Sequence, residues 1–98
     1  LRFTFQKKSL SDLYEGRKNN PKLSAQVTKA FERVVAVIKA ARDERDFYEL
    51  KSLRFEKLKG DRSEDRSLRL TDQFRLIVRL QNDEQGRYVL ICDIEDYH

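Results

Sequence analysis

The sequence predicts an α+β fold, with two N-terminal helices packed on one face of a mainly antiparallel sheet of four to five strands. Three observations predict it. Apolar residues recur at helical spacing through the first half of the chain. Beyond about Leu53 the apolar period changes from 3.6 residues to 2. Runs of helix followed by runs of strand, joined by short polar connections, segregate the helices to one sheet face.

The opening Leu1-Arg2-Phe3-Thr4-Phe5 alternates apolar and polar residues, as a half-buried strand does. Ser9-Leu10-Ser11-Asp12 then predicts a helix start, with Ser9 as the cap and Asp12 in the first turn. Leu10, Leu13 and Tyr14 form its apolar face, and Gly16 is expected to end it. Asn19-Asn20-Pro21 is a break, with Asn20 expected to cap a second helix and Pro21 at its first position, where a missing N–H costs nothing. Leu23, Val27, Ala30, Phe31, Val34, Val35, Ile38 and Ala41 form one wide stripe along that helix, which is expected to fray near Arg42–Asp46. Phe47, Tyr48 and Leu50 anchor a connecting segment.

Strands are expected at Leu53–Leu58, Ser67–Thr71, Phe74–Leu80 and Tyr88–Glu95. Lys59-Gly60-Asp61-Arg62, Thr71-Asp72-Gln73 and Asn82-Asp83-Glu84-Gln85-Gly86 read as the turns between them. Alternation then sorts the side chains by face. Leu68, Leu70, Phe74, Leu76, Val78 and Leu80 point under the helices. Ser67, Arg69, Thr71, Arg75, Ile77 and Arg79 point out of the opposite face, with Arg54, Lys57, Lys59, Arg62 and Arg66 on nearby strand or loop.

The 98 residues are expected to form one domain, residues 1–98. Charged residues make up 39% of the chain, against a usual quarter, and hydrophobic residues another 39% in periodic runs, so the chain reads as folded and highly charged. The net charge of +4 and pI near 9.3 favour a polyanionic or acidic partner. The one cysteine, Cys92, excludes an intramolecular disulfide and is expected as a small buried core residue. One His and one Cys cannot build a zinc site, so no metal or other cofactor is expected. No stretch approaches the roughly 18 apolar residues of a membrane span. With no signal-peptide pattern, a reducing cytoplasmic setting is the default expectation.

Proton-transfer chemistry concentrates at the C-terminus. Asp96-Tyr97-His98 brings together a carboxylate, a phenol and the chain's only imidazole, downstream of an Arg- and Lys-rich segment. Such groups beside a dense positive patch suit chemistry on a phosphodiester. RNA is cut without a metal when a base takes the 2′-OH proton and an acid protonates the leaving 5′-oxygen. His98, whose ordinary pKa is about 6.5, suits either role. Tyr97 could stack on an unpaired base or transfer a proton. Asp96 could orient His98 or pair with an arginine. Arg75 sits mid-sheet, where its planar fork suits two phosphate oxygens and the extra charge of a phosphoryl transition state. The alternative for Arg75 is a salt bridge to Asp93 or Asp96. Three arginines on adjacent strands repel one another unless a polyanion, or Asp72, Glu56, Asp93 and Asp96, neutralises them.

Four segments in order carry a resemblance: Phe55-Glu56-Lys57-Leu58-Lys59-Gly60-Asp61-Arg62, Ser67-Leu68-Arg69-Leu70, Asp72-Gln73-Phe74-Arg75-Leu76 and Asp96-Tyr97-His98. They resemble bacterial HigB toxins of the RelE/ParE superfamily. The likeness covers the C-terminal half by motif and the N-terminal half by element order.

The resemblance implies a RelE/ParE-like fold and the toxin of a type II toxin–antitoxin pair, cutting mRNA in the A site of the 70S ribosome without a metal. It implies a HigA-like helix-turn-helix antitoxin and a complex that binds its own operator DNA. Carried over by position, the catalytic candidates are Arg75, Asp96, Tyr97 and His98. Glu56 joins them because it stands where some members place a histidine. Lys57, Lys59 and Arg62 of the loop, with Arg69 and Arg79 of the strand face, are the RNA-binding candidates. Phe74 stands where Trp is common. The alternatives on the same fold are a ParE-like gyrase inhibitor and a non-catalytic RNA-binding module.

Overall fold

A computed structural model describes residues 1–97. His98 lies outside the described residues. The chain runs β1 (Arg2–Phe5), α1 (Lys8–Glu15), α2 (Ala25–Ala40), α3 (Arg45–Glu49), β2 (Glu56–Lys57), β3 (Asp65–Arg69), β4 (Phe74–Asp83) and β5 (Gly86–Asp96), with single 3-10 turns at Lys51–Leu53 and Gly60–Arg62. The strands form one mixed sheet in the order β1-β5-β4-β3-β2. All pairings are antiparallel except β1 with β5. The α+β class and the mainly antiparallel sheet are as the sequence predicts, with a third, short helix added.

The helix boundaries differ from expectation for local reasons. α2 is capped by Ser24, whose Oγ accepts from the Val27 N–H at 3.2 Å. Asn20 instead accepts from Lys22 N–H at 2.9 Å, closing a local turn, and Pro21 stays outside the helix. α1 begins at Lys8 with Lys7 at the cap and no side-chain capping bond, so Ser9 lies inside the helix. Gly16 ends α1 at φ 74°, in the left-handed region expected of a C-terminal glycine. Asp12, on the apolar side of α1, is buried and held by Lys8 at 3.0 Å and Arg17 at 2.9 Å. α3 spans the end of the segment expected to fray and most of the expected connecting segment; Asp46 accepts from the Arg42 N–H at 2.9 Å, and Phe47 is fully buried.

The core lies between the helices and one sheet face. Val27, Ala30, Phe31, Val34, Val35 and Ile38 form the buried stripe of α2. They meet Leu68, Leu70, Leu76, Val78, Val89 and Ile91 from the sheet. Phe3 and Phe5 of β1 join Tyr14 and Phe31 in a cluster of edge-on and tilted rings that ties β1 to α1 and α2. A second cluster, Phe47, Tyr48 and Phe55, fixes the chain before β2. Arg54 adopts a left-handed φ of 45°, the one non-glycine residue to do so among the described residues. That turn lets Phe55 drop into the core and confines β2 to Glu56–Lys57, shorter than the expected Leu53–Leu58 strand.

β4 and β5 extend to Asp83 and Gly86, so their hairpin loop is tighter than expected. Their ladder is broken once: Ile77 pairs with Asp93 and Val78 with Ile91, which leaves Cys92 as the extra residue of a β-bulge. Simple alternation from Val89 and Ile91 would send Glu95 toward the helices. The bulge reverses that parity. Ile94 takes the core side, and Glu95 stands opposite Arg75 on the other face. Cys92 is therefore buried on the outer face and not in the helix-side core. Desolvation pushes its thiol pKa up.

Candidate active site on the outer sheet face

The outer face is not an open cationic plane. Ser67 and Ile77, which point away from the helices, are buried. Gly60, at φ 71°, starts the turn that carries Arg62 back over this face. There Arg62 grips Glu95 with both terminal nitrogens, at 3.0 and 2.7 Å, and reaches Asp65 through Nε at 3.2 Å. Asp65 also accepts from Arg79 Nε at 2.6 Å. Arg62, Asp65, Ile77, Arg79, Cys92 and Glu95 line one shallow hollow. Glu95 and Asp65 hold the Arg62 pKa well above its ordinary value. Burial works to raise the Asp65 carboxyl, but hydrogen bonds from Arg79 and Arg62 outweigh it and hold the pKa below the usual carboxylate value.

Arg75 occupies the next row of this face. It is buried, at 8% exposure, between Arg69 on β3 and Glu95 on β5, its cross-strand partners. Neither neutralises it. Arg69 is ion-paired with Asp72 at the β3–β4 turn, and Glu95 with Arg62. Arg75 forms no ion pair among the described residues, and its buried Nε and Nη1 have no hydrogen-bond partner there. The expected alternative of a bridge to Asp93 is not realised, since Asp93 pairs with Lys7 at 3.0 Å. The guanidinium instead lies beneath the Tyr97 ring, with Cζ 4.5 Å from the centroid. Gln73 of the β3–β4 turn holds Tyr97 and its neighbour there. Its N–H donates to the Gln73 carbonyl at 2.5 Å, and the Gln73 side chain donates to Asp96 at 3.1 Å. Gln73 is itself set by the Thr71 hydroxyl, which accepts from the Gln73 and Phe74 N–H groups.

The structure thus brings Arg75, Asp96 and Tyr97 together at one end of the sheet. Glu56 lies apart, exposed on the β2 edge opposite Ser67. Two strand spacings and one residue pair separate it from Arg75, roughly 12 Å between Cα positions. Lys57 and Lys59 are exposed and form no ion pair among the described residues, Lys57 standing directly across from Arg66. Arg62, Arg69 and Arg79 are all engaged with carboxylates.

Three partners were not anticipated from the sequence: Glu95, Asp65 and Gln73. A signal existed for Glu95, because an acidic residue at an apparent core position of an apolar strand marks a bulge. Among the described residues no three His, Cys, Asp or Glu side chains are grouped to hold a metal. No described helix is long and apolar enough to cross a membrane.

The family model of the RelE-like toxin of type II toxin–antitoxin system HigB matches residues 3–97. The chain belongs to this HigB-like toxin family. No curated protein matches it significantly. Solved structures corroborate the fold. The YoeB/ParE toxin from Agrobacterium tumefaciens superposes with a TM-score of 0.60 at 14% identity, covering 100% of both chains. The YoeB-YefM complex from Staphylococcus aureus gives 0.51 at 20% identity over 100% of this chain and 97% of that one. This HigB-like chain therefore shares its layout of helices on one sheet face with RelE-like toxins, and its Arg75–Tyr97 stack lies on the face that the helices leave uncovered.

Proposed function

We propose that this HigB-like toxin is a ribosome-dependent endoribonuclease that cleaves translated mRNA in the A site and so inhibits translation. The observation that carries this reading is Arg75, a buried cation that keeps its charge and whose Nε and Nη1 lack a partner among the described residues. Burying such a charge is costly unless an anion completes the site. The scissile phosphate of RNA is that anion. In this reading the 2′-OH attacks the adjacent phosphate and leaves a 2′,3′-cyclic phosphate, with no metal required. Arg75 stabilises the charge that develops on the phosphoryl oxygens. Tyr97 holds the guanidinium and offers its exposed edge to a base. His98 and Asp96 manage the two protons, and Glu56, distant on the β2 edge, serves the flanking nucleotides. Lys57 and Lys59 supply phosphate contacts, with Arg62, Arg69 and Arg79 behind them. The partners follow from the family: a HigA-like helix-turn-helix antitoxin that need not cover the active site, and operator DNA bound by the pair. The setting is the bacterial cytoplasm, where ribosomes translate.

The test is primer extension on mRNA from cells expressing the chain, with Arg75→Ala alongside. Cuts within translated regions, ending in 2′,3′-cyclic phosphates and lost in the variant, are expected. Intact mRNA with inhibited DNA supercoiling would replace this reading with gyrase inhibition.

A further inference from the structure

Resting on the cleavage reading above, we propose that Arg62 is a positioning residue that withholds Glu95 from Arg75 and so keeps the Arg75 guanidinium open to phosphate. The ladder makes Glu95 the obvious counter-ion of Arg75. The two residues are directly paired across β4 and β5 on the same face, a placement in which opposite charges attract. Both Glu95 carboxylate oxygens are nevertheless taken by Arg62 from the Gly60–Arg62 turn, at 3.0 and 2.7 Å. A planar fork satisfies a carboxylate bidentately and fixes its orientation. On the other side of Arg75, Asp72 holds Arg69. The row Arg69–Arg75–Glu95 therefore contains three charges, of which only the central one lacks a partner among the described residues. The arrangement depends on the bulge at Cys92, which puts Glu95 on this face, and on the turn that delivers Arg62 to it.

The inference separates two roles for Arg62. As a phosphate contact, its loss removes a direct contact that a change at Glu95 does not rebuild, and it leaves the response of Arg75 to phosphate intact. As a keeper of Glu95, its loss frees a carboxylate to close on Arg75, where it neutralises the guanidinium and repels the incoming phosphate. Asp65 keeps Arg79 either way.

The experiment compares wild type, Arg62→Ala and Arg62→Ala/Glu95→Gln in two assays: ribosome-dependent mRNA cleavage, and the Arg75 side-chain Nε–H NMR resonance during titration with inorganic phosphate. Arg62→Ala is expected to lower cleavage by roughly tenfold or more, the scale of coupling between contacting charges, with most of the loss restored by adding Glu95→Gln. The Arg75 resonance should respond to phosphate in wild type and in the double variant, and lose that response in Arg62→Ala. Arg62→Gln replaces the alanine variant if the latter does not fold. Failure of Glu95→Gln to restore cleavage, with Arg75 still responding to phosphate in Arg62→Ala, would overturn the proposal. So would an Arg75 resonance blind to phosphate in wild type. A wild-type protein that leaves ribosome-bound mRNA intact but shows the expected phosphate pattern would refute the cleavage reading and uphold the pairing.

Discussion

The Tyr97 ring lies over the Arg75 guanidinium, with Cζ 4.5 Å from the ring centroid, and this contact holds a buried cation whose Nε and Nη1 have no hydrogen-bond partner among the described residues. A ring face attracts a cation without neutralising it. A carboxylate in the same place would have cancelled the charge. The arrangement therefore keeps a full positive charge at low dielectric, where it acts most strongly on a developing negative one.

Arg75 is expected to trade stability for activity. Arg75→Ala should lower the cleavage rate by roughly 10²–10³-fold, as removal of one preorganised donor does, with a smaller loss in ribosome affinity. Arg75→Met should leave thermal stability unchanged or raise it by about 1 kcal/mol, because an uncompensated charge leaves the interior. A large fall in melting temperature for Arg75→Met would show that the guanidinium is a structural tie.

Substitutions at Tyr97 separate its ring from its hydroxyl. Tyr97→Phe keeps a ring over Arg75; Tyr97→Ala removes it. A cation–π contact is worth about 0.5–2 kcal/mol, so Tyr97→Ala should cost roughly 2- to 30-fold in cleavage beyond the effect of Tyr97→Phe. Equal losses in the two variants would assign the effect to the phenol. His98→Ala is expected to cost about 10²–10⁴-fold if the imidazole carries a proton. Full activity in that variant would leave Asp96 and Tyr97 as the proton carriers.

Lys57 and Lys59, on the β2 edge and its loop, are exposed and form no ion pair among the described residues. Two phosphate contacts to single-stranded RNA contribute about 0.7 each to the salt dependence, so the double alanine variant should reduce the slope of log affinity against log salt by about 1.4. Its melting temperature should stay near that of the wild type. An unchanged slope would remove these lysines from the interface.

The fold class was legible because the periodicity is strong: the α2 stripe and the alternation of β3 and β4 assign most of the core residues that the structure buries, with Leu23, Phe74 and Leu80 only partly covered. The cap of α2 differs from the Asn20 expected because Asn20 closes its own local turn with Lys22, and Ser24 is the residue that reaches the free N–H of Val27. Arg75, Tyr97 and Asp96 were legible as chemistry but not as an arrangement. Arg75 is buried because a loop and the C-terminal tail fold over the outer face, and both contacts are long-range in sequence. The neutralisation of Arg62 and Arg79 by Glu95 and Asp65 was hidden for the same reason. The Glu95 part of it depends on one extra residue, Cys92, which shifts every side chain beyond it to the other face.

Acid should loosen this outer face before the helix-side core. Asp65 is buried, and although burial alone would raise its pKa, the hydrogen bonds from Arg79 and Arg62 set the folded value below the ordinary one. A carboxyl whose folded pKa is depressed contributes stability that is fully present above its unfolded value, near 3.9, and is lost as pH falls through the folded value. Asp12 follows the same sign, lowered by Arg17 and Lys8, and Asp43, paired with Arg45, is lowered to about 2. Asp43 is partly exposed, so its ion pair contributes little; Asp65 and Asp12 should dominate. Unfolding free energy is therefore expected to be flat from neutral pH to about pH 4, and to decline below it. Asp65→Asn should be less stable at neutral pH, because it leaves Arg79 without its ion pair, and its acid decline should be shallower than that of the wild type. Denaturant titrations between pH 2 and 7 measure both. Parallel curves for Asp65→Asn and wild type would show that the Asp65 network does not carry the acid sensitivity.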